Sequence, residues 1–176
     1  MTRAASTSPP ALRRASRLDA FIRRIAAQRT CLNHATGLIG DRPGIVIELG
    51  LGNGRTFDHL REHYPGREIY VFDREIAAHP ACIPDEAHTR LGDFRDTLPA
   101  FRLEGRPKAV LIHADFGSPN RDRDAELALW LGPALQPLLA AGGIVATDRA
   151  LPAADLTALD LPEGVAAGDY FLYRAD

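Results

Sequence analysis

Residues 44–54 read GIVIELGLGNG, and this stretch decides the fold. Its first six residues, GIVIEL, form an unbroken apolar run apart from Glu48, the mark of a buried strand. The next five place Gly50, Gly52 and Gly54 at alternate positions, two residues beyond the acid. Glycine enters backbone conformations closed to other residues, so this spacing predicts a tight turn that a ligand can approach closely. Thr56, Phe57, Leu60 and Tyr64 then recur at helical spacing until Pro65. The turn therefore opens a helix whose first N–H groups are free to face an anionic ligand.

The alternation continues on both sides. Residues 68–72 (EIYVF) form a second strand ending on Asp73, and residues 74–84 a short proline-bounded helix or loop. Residues 89–91 form a short third strand before Gly92 and Asp93. Residues 108–114 (KAVLIHA) give a fourth strand, closed by Asp115 and a Gly117-Ser118-Pro119-Asn120 loop. Residues 123–141 read as helix, reset at Gly132-Pro133 because proline suits a first helical turn. Residues 143–147 (GIVAT) are a fifth strand, with further strands at 156–161 and 169–173. Upstream, Ser16 and Asp19 form a capping pattern before Leu18, Phe21, Ile22, Ile25, Leu32 and Ile39, a helix that Gly40 and Pro43 end. Arg23, Arg24, Gln28 and Arg29 fall on its opposite face. Residues 1–15, rich in Ser, Pro and Arg without an acid, read as a disordered tail in preference to an organelle transit peptide.

Strands with little alternation, separated by helices, imply a mainly parallel sheet covered on both faces. Such sheets bind ligands beyond the carboxyl ends of their strands. The informative positions are therefore Glu48 to Gly54, Asp73, Asp93, Asp115 and Asp148.

Composition narrows the function. A chain of 176 residues, 45% hydrophobic and 25% charged, fits one globular domain and no separate substrate domain. A net charge of −2 gives no pull toward nucleic acid or anionic lipid, and no run approaches the roughly 18 apolar residues of a membrane span. Cys31 and Cys82 form neither a disulfide scaffold nor a zinc set, so a reduced, cytoplasmic setting is expected.

Two cofactor classes use a glycine turn of this kind. A dinucleotide site asks for a small residue at the sixth position counted from Gly50, where Arg55 stands here. The order acid-x-G-x-G-x-G instead resembles the first motif of class I S-adenosylmethionine-dependent methyltransferases. The resemblance runs from Ser16 to Asp148 and is nearest to short stand-alone bacterial members of that family. It implies a Rossmann-like α/β fold, a three-layer sandwich with a mostly parallel sheet and an antiparallel C-terminal strand. It divides residues 16–176, a single domain, into an N-terminal helix (16–40), a cofactor-binding core (44–148) and C-terminal strands (149–176). The chain departs from the family after Asp148, where a short proline-containing segment replaces the usual last long helix.

The same resemblance assigns roles to residues. The turn of Gly50, Gly52, Asn53 and Gly54 would hold the methionyl part of the cofactor, its carboxylate near backbone N–H groups and Arg55 or Thr56. Glu48 would lie beneath, bonding backbone N–H groups or the cofactor's ammonium. Asp73, followed by Arg74, would accept from the ribose hydroxyls. Asp93, between Gly92 and Phe94, would accept from the adenine amine. Gln28 and Arg29, on a helix that crosses the cofactor mouth in this fold, would touch the methionyl carboxylate or the substrate unless they are simply solvated.

Methyl transfer from a sulfonium is an in-line displacement, and a general base is needed only for an acceptor that starts protonated. His113 and Asp115, two apart on a strand, face the same side and are the candidates for that role. A core histidine and a turn-capping aspartate are the alternative. Asp148 resembles the metal-binding acids of catechol-type O-methyltransferases, but its neighbour Arg149 cannot ligate a cation, so no metal is expected. That guanidinium would instead suit an anionic group on the substrate. His59 and His63 stand at zinc-clamp spacing without a third ligand and read as a solvated face. Trp130 belongs to the core or to an oligomer face. With no aromatic-plus-basic stripe, and Asp115-Phe116-Gly117-Ser118 after the fourth strand, the acceptor is expected to be a small molecule methylated on O, N or S, with no nucleic acid and no membrane. A non-catalytic cofactor-binding module and a nicotinamide-binding protein are the alternatives.

Overall fold

The computed structural model describes residues 16–118, 120–153 and 155–176. The expected tail at 1–15 and Pro119 lie outside them. In chain order the elements are α1 (Arg17–Ile39), β1 (Ile45–Leu49), α2 (Arg55–His63), β2 (Ile69–Asp73), β3 (Thr89–Leu91), α3 (Phe94–Leu103) and β4 (Ala109–Ala114). They continue with α4 (Arg121–Leu135), β5 (Leu139–Thr147), β6 (Leu156–Ala158) and β7 (Phe171–Ala175).

The sheet runs β3-β2-β1-β4-β5-β7-β6. Neighbours from β3 through β5 pair in parallel, while β7 is antiparallel to both β5 and β6. Order reverses at β1, so β2 and β4 flank it and a crevice opens beyond their carboxyl ends. Successive residues of β1 serve opposite cores. Val46 packs with Ala27, Cys31, Leu32, Phe57 and Leu60 of α1 and α2, whereas Ile47 packs with Leu98, Phe101, Ala128 and Leu131 of α3 and α4. This is the three-layer, Rossmann-like arrangement that the sequence implies.

Three local expectations are corrected, and one helix enters without any. The buried face of α1 is made of Ala27, Gln28, Cys31, Leu32, Ala35 and Ile39, so Gln28 lies inside and Leu18, Phe21 and Ile22 are exposed. Small residues bring the helix close to the sheet, which decides the face over the bulkier apolar series. The sequence pattern gives no signal for α3, because Pro99 stands within it; Asp93 caps its first turn and Leu98 and Phe101 anchor it. Helix α4 runs through Gly132-Pro133 without a reset and ends sooner, and residues 139–141 belong to β5. Gly132 is needed there because a Cβ would meet the Pro152 carbonyl oxygen at 2.9 Å. At the C-terminus β6 is only three residues long and β7 starts two residues later than residue 169. Between β5 and β6 the described residues form no helix, as the short segment after Asp148 implies.

Candidate functional site

A cleft of about 230 Å³ opens at the carboxyl ends of the central strands. Gly50 and Gly52 line it from β1, Asp73 and Arg74 from β2, Asp93 and Phe94 from β3, and Asp115 and Phe116 from β4.

Gly50, Gly52 and Gly54 all have positive φ, at 93°, 50° and 82°. They meet different surroundings. A Cβ on Gly50 would stand 2.2 Å from the Asp115 carbonyl oxygen, and one on Gly54 would stand 2.5 Å from the Cys82 Cβ. A Cβ on Gly52 would meet nothing within 4 Å. Two glycines therefore pack the turn against its neighbours, and the third leaves backbone bare to the cleft. Helix α2 starts directly after Gly54 with no side-chain cap, which leaves its first N–H groups unclaimed by the chain.

Asp73 holds this turn. Its Oδ2 accepts from the N–H groups of Leu51 at 2.7 Å and Gly52 at 3.1 Å, and its Oδ1 from the N–H of Arg74 at 2.6 Å. Arg74 reaches across to Asp93, Nη2 to Oδ2 at 3.2 Å. The Arg95 N–H, which Asp93 accepts as the cap of α3, and the Arg74 guanidinium together hold the Asp93 carboxyl below the usual carboxylate range.

The remaining expected residues do not all reach the cleft. Glu48 is fully buried and accepts from the Thr56 hydroxyl, not from backbone N–H groups, and its Oε2 has no partner. Asn53 and Arg55 face each other, with the amide oxygen accepting from the guanidinium at 2.8 Å in the orientation that hydrogen bonding favours. Neither they, Gly54, Thr56, Gly92 nor the exposed Arg29 is among the residues lining the cleft.

His113 and Asp115 share one side of β4, as their spacing implies, yet only Asp115 lines the cleft. His113 is sealed inside the sheet at 0% exposure and pairs in register with Glu48. Its Nε2 lies 2.7 Å from the Tyr170 hydroxyl and 3.4 Å from Gln28 Nε2, and its Nδ1 lies 3.8 Å from Glu48 Oε1 without a hydrogen bond. A group so enclosed cannot touch a substrate, which corrects the expectation of a catalytic His113. The Asp115 Oδ2 accepts from Gln28 Nε2 at 2.7 Å and Arg24 Nη1 at 3.0 Å.

Asp148 follows β5 beside Asp115. Burial, and next the Asp115 charge, push its carboxyl up to about 6, and its Oδ1 has no partner. Arg149 donates to Asp124 of α4 at 2.7 Å, so this guanidinium is engaged within the protein and not offered to a substrate. Among the described residues no group of three His, Cys, Asp or Glu side chains is gathered to hold a metal. His59 sits 2.8 Å from Asn33 with the His63 ring edge-on beside it. Trp130 packs partly buried against the core.

Sequence reasoning set Gln28 with Arg29 on a helix at the cofactor mouth, but it did not place Arg24 or Tyr170 at this centre. One signal was present: Gln28 is the single polar residue among Ala27, Cys31, Leu32 and Ala35, the small apolar face that the helix buries.

Residues 15–175 match a family described as S-adenosyl-L-methionine methyltransferase. No curated protein matches the chain. A solved structure of an S-adenosyl-L-methionine methyl transferase from Silicibacter pomeroyi DSS-3 is 45% identical, with a TM-score of 0.87 over 93% of this chain and 100% of that one. TrmN from Thermus thermophilus is 20% identical, with a TM-score of 0.54 over 87% of this chain and 49% of that one. Human methyltransferase-like protein 13, solved in complex with SAH, is 15% identical, with a TM-score of 0.51 over 89% of this chain and 80% of that one. The last two share the fold.

Proposed function

The chain belongs to the S-adenosyl-L-methionine methyltransferase family, and from that premise we propose that it methylates an O, N or S atom of a small molecule. The carrying observation is the bare backbone at Gly52, which lies open on the cleft between Asp73 and Asp115. A cofactor with a carboxylate, a ribose and an adenine fits what surrounds it. The uncapped start of α2 suits the carboxylate. Asp73 retains acceptor capacity beyond the three N–H groups it holds, and Asp93 stands across the cleft beside Phe94.

S-adenosyl-L-methionine supplies the chemistry, a methyl group made transferable by the sulfonium. The protein's part is alignment and the exclusion of water. In this reading Gly50 and Gly52 bring backbone close to the methionyl end, Asp73 takes the ribose hydroxyls, and Asp93 with Phe94 takes the adenine. Asp115, at the exit of β4, faces the acceptor. It orients an acceptor donor, or takes its proton where one must leave. Glu48 and Thr56 support the turn from beneath.

The test is a screen of catechol, amine and thiol acceptors with S-adenosyl-L-methionine, reading release of S-adenosylhomocysteine. Turnover of one class, abolished by Asp73→Ala, supports the proposal. Tight S-adenosylhomocysteine binding with no turnover of any class would instead identify a binding module.

A further inference from the structure

We infer that Gln28 is a positioning residue: from the buried face of α1 its carboxamide fixes the Asp115 carboxylate at the wall of the cleft. The inference rests on the reading of Asp115 as the acceptor-side group.

Gln28 is 4% exposed, in a face otherwise built of small apolar side chains. A buried carboxamide is costly unless its N–H groups find acceptors. Here one donates to Asp115 Oδ2 at 2.7 Å, a charge-assisted bond, and the same nitrogen lies 3.4 Å from His113 Nε2. The Tyr170 hydroxyl stands 2.7 Å from that ring nitrogen. Burial pushes Tyr170 well above its ordinary value, so it keeps its proton.

The outcome is a buried chain of polar groups. It leads from Tyr170 through His113 and Gln28 to Asp115, with Glu48 beside the His113 ring but not bonded to it. Arg24 also donates to Oδ2, but its guanidinium is 43% exposed and its contribution is screened. Both donors take the same oxygen, so Oδ1 keeps its acceptor sites for a substrate. Removing Gln28 would free the carboxylate to rotate while leaving the cofactor wall, which α1 does not build, in place.

The experiment is NMR of the side-chain amide of Gln28 in the labelled full chain, alongside Asp115→Ala. A downfield, slowly exchanging amide proton that returns to the position of exposed glutamines in Asp115→Ala is expected. An amide signal that Asp115→Ala does not move overturns the inference. Gln28→Met, similar in shape, should leave S-adenosylhomocysteine affinity unchanged. On any acceptor found in the screen it should lower kcat about tenfold, the worth of one charge-assisted hydrogen bond, without raising the KM for S-adenosyl-L-methionine. Added to Asp115→Ala, it should cost nothing more. An equal loss in both backgrounds would mean that Gln28 only packs α1. Failure of the wild type to bind S-adenosylhomocysteine would sink the proposed function, while the NMR result would still decide the Gln28–Asp115 contact.

Discussion

Asp73 and Gly52 are joined by a 3.1 Å hydrogen bond, from the backbone N–H of the turn to the carboxylate that ends β2. With the Leu51 N–H on the same oxygen at 2.7 Å, the acid is both a wall of the cleft and the clamp that shapes the opposite wall. Replacement of Asp73 should therefore show in two measurements. Asp73→Ala is expected to abolish calorimetric binding of S-adenosylhomocysteine and to lower stability by about 1–3 kcal/mol, since three N–H groups lose their acceptor. Asp73→Asn keeps one acceptor oxygen and should recover most of the stability but little of the affinity. Equal recovery of both would show that the acid serves only the turn.

The glycines of the turn should separate fold from ligand. Gly50→Ala places a methyl group 2.2 Å from a backbone oxygen, so β1 and β4 must part. A loss of more than about 3 kcal/mol in denaturant unfolding is expected. Gly52→Ala meets no atom within 4 Å and costs only the strain of φ 50°, about 1 kcal/mol. Its methyl group would nonetheless stand over the cleft, and S-adenosylhomocysteine affinity should fall at least as far as in any stable variant. Retained affinity would move the ligand away from the turn.

Asp93 caps α3 and lines the cleft. Asp93→Ala should lose about 1 kcal/mol with the cap. Asp93→Ser restores a capping hydroxyl but not a charged acceptor, so thermal stability should return while S-adenosylhomocysteine affinity stays reduced. Wild-type affinity in Asp93→Ser would confine this acid to its capping role.

Asp148 makes the fold pH-dependent. Its carboxyl titrates near 6 in the folded protein against an ordinary value of 3.8. Between those values the folded state holds a proton that the unfolded chain has lost. Stability contributed by this group therefore falls as pH rises through the window, and the loss is complete above it. Asp148→Asn removes the titration. Relative to wild type it should gain about 2–3 kcal/mol between pH 4 and pH 7.5 in urea unfolding. A difference that does not change with pH would place Asp148 in water.

Much of this was legible in the sequence because the signals were local. The alternation of apolar runs and helical spacing yields the order of elements, and GIVIELGLGNG fixes where the sheet reverses. Asp73 ends a strand and Asp93 and Asp115 lie just beyond theirs, so the three converge once the strands lie parallel. What escaped depends on packing across the chain. Gln28 and His113 lie 85 residues apart, and Tyr170 follows His113 by another 57. No spacing in the sequence announces that they meet. The face of α1 was misread because Leu18, Phe21 and Ile22 outweigh Ala27, Cys31 and Ala35 in any hydrophobic pattern, whereas close approach to a sheet favours the smaller set. Helix α3 was hidden by Pro99, whose missing N–H is tolerated because Leu98 and Phe101 anchor the helix to the core.

The most direct test of the account is calorimetric titration of the purified chain with S-adenosyl-L-methionine, S-adenosylhomocysteine and NAD in parallel, repeated on Gly52→Ala. Binding of both S-adenosyl ligands, absent for NAD and lost in a variant that still folds, is the expected result. A preference for NAD, or silence toward all three, would contradict it, because the cleft built by Gly52, Asp73 and Asp93 would then hold some other ligand.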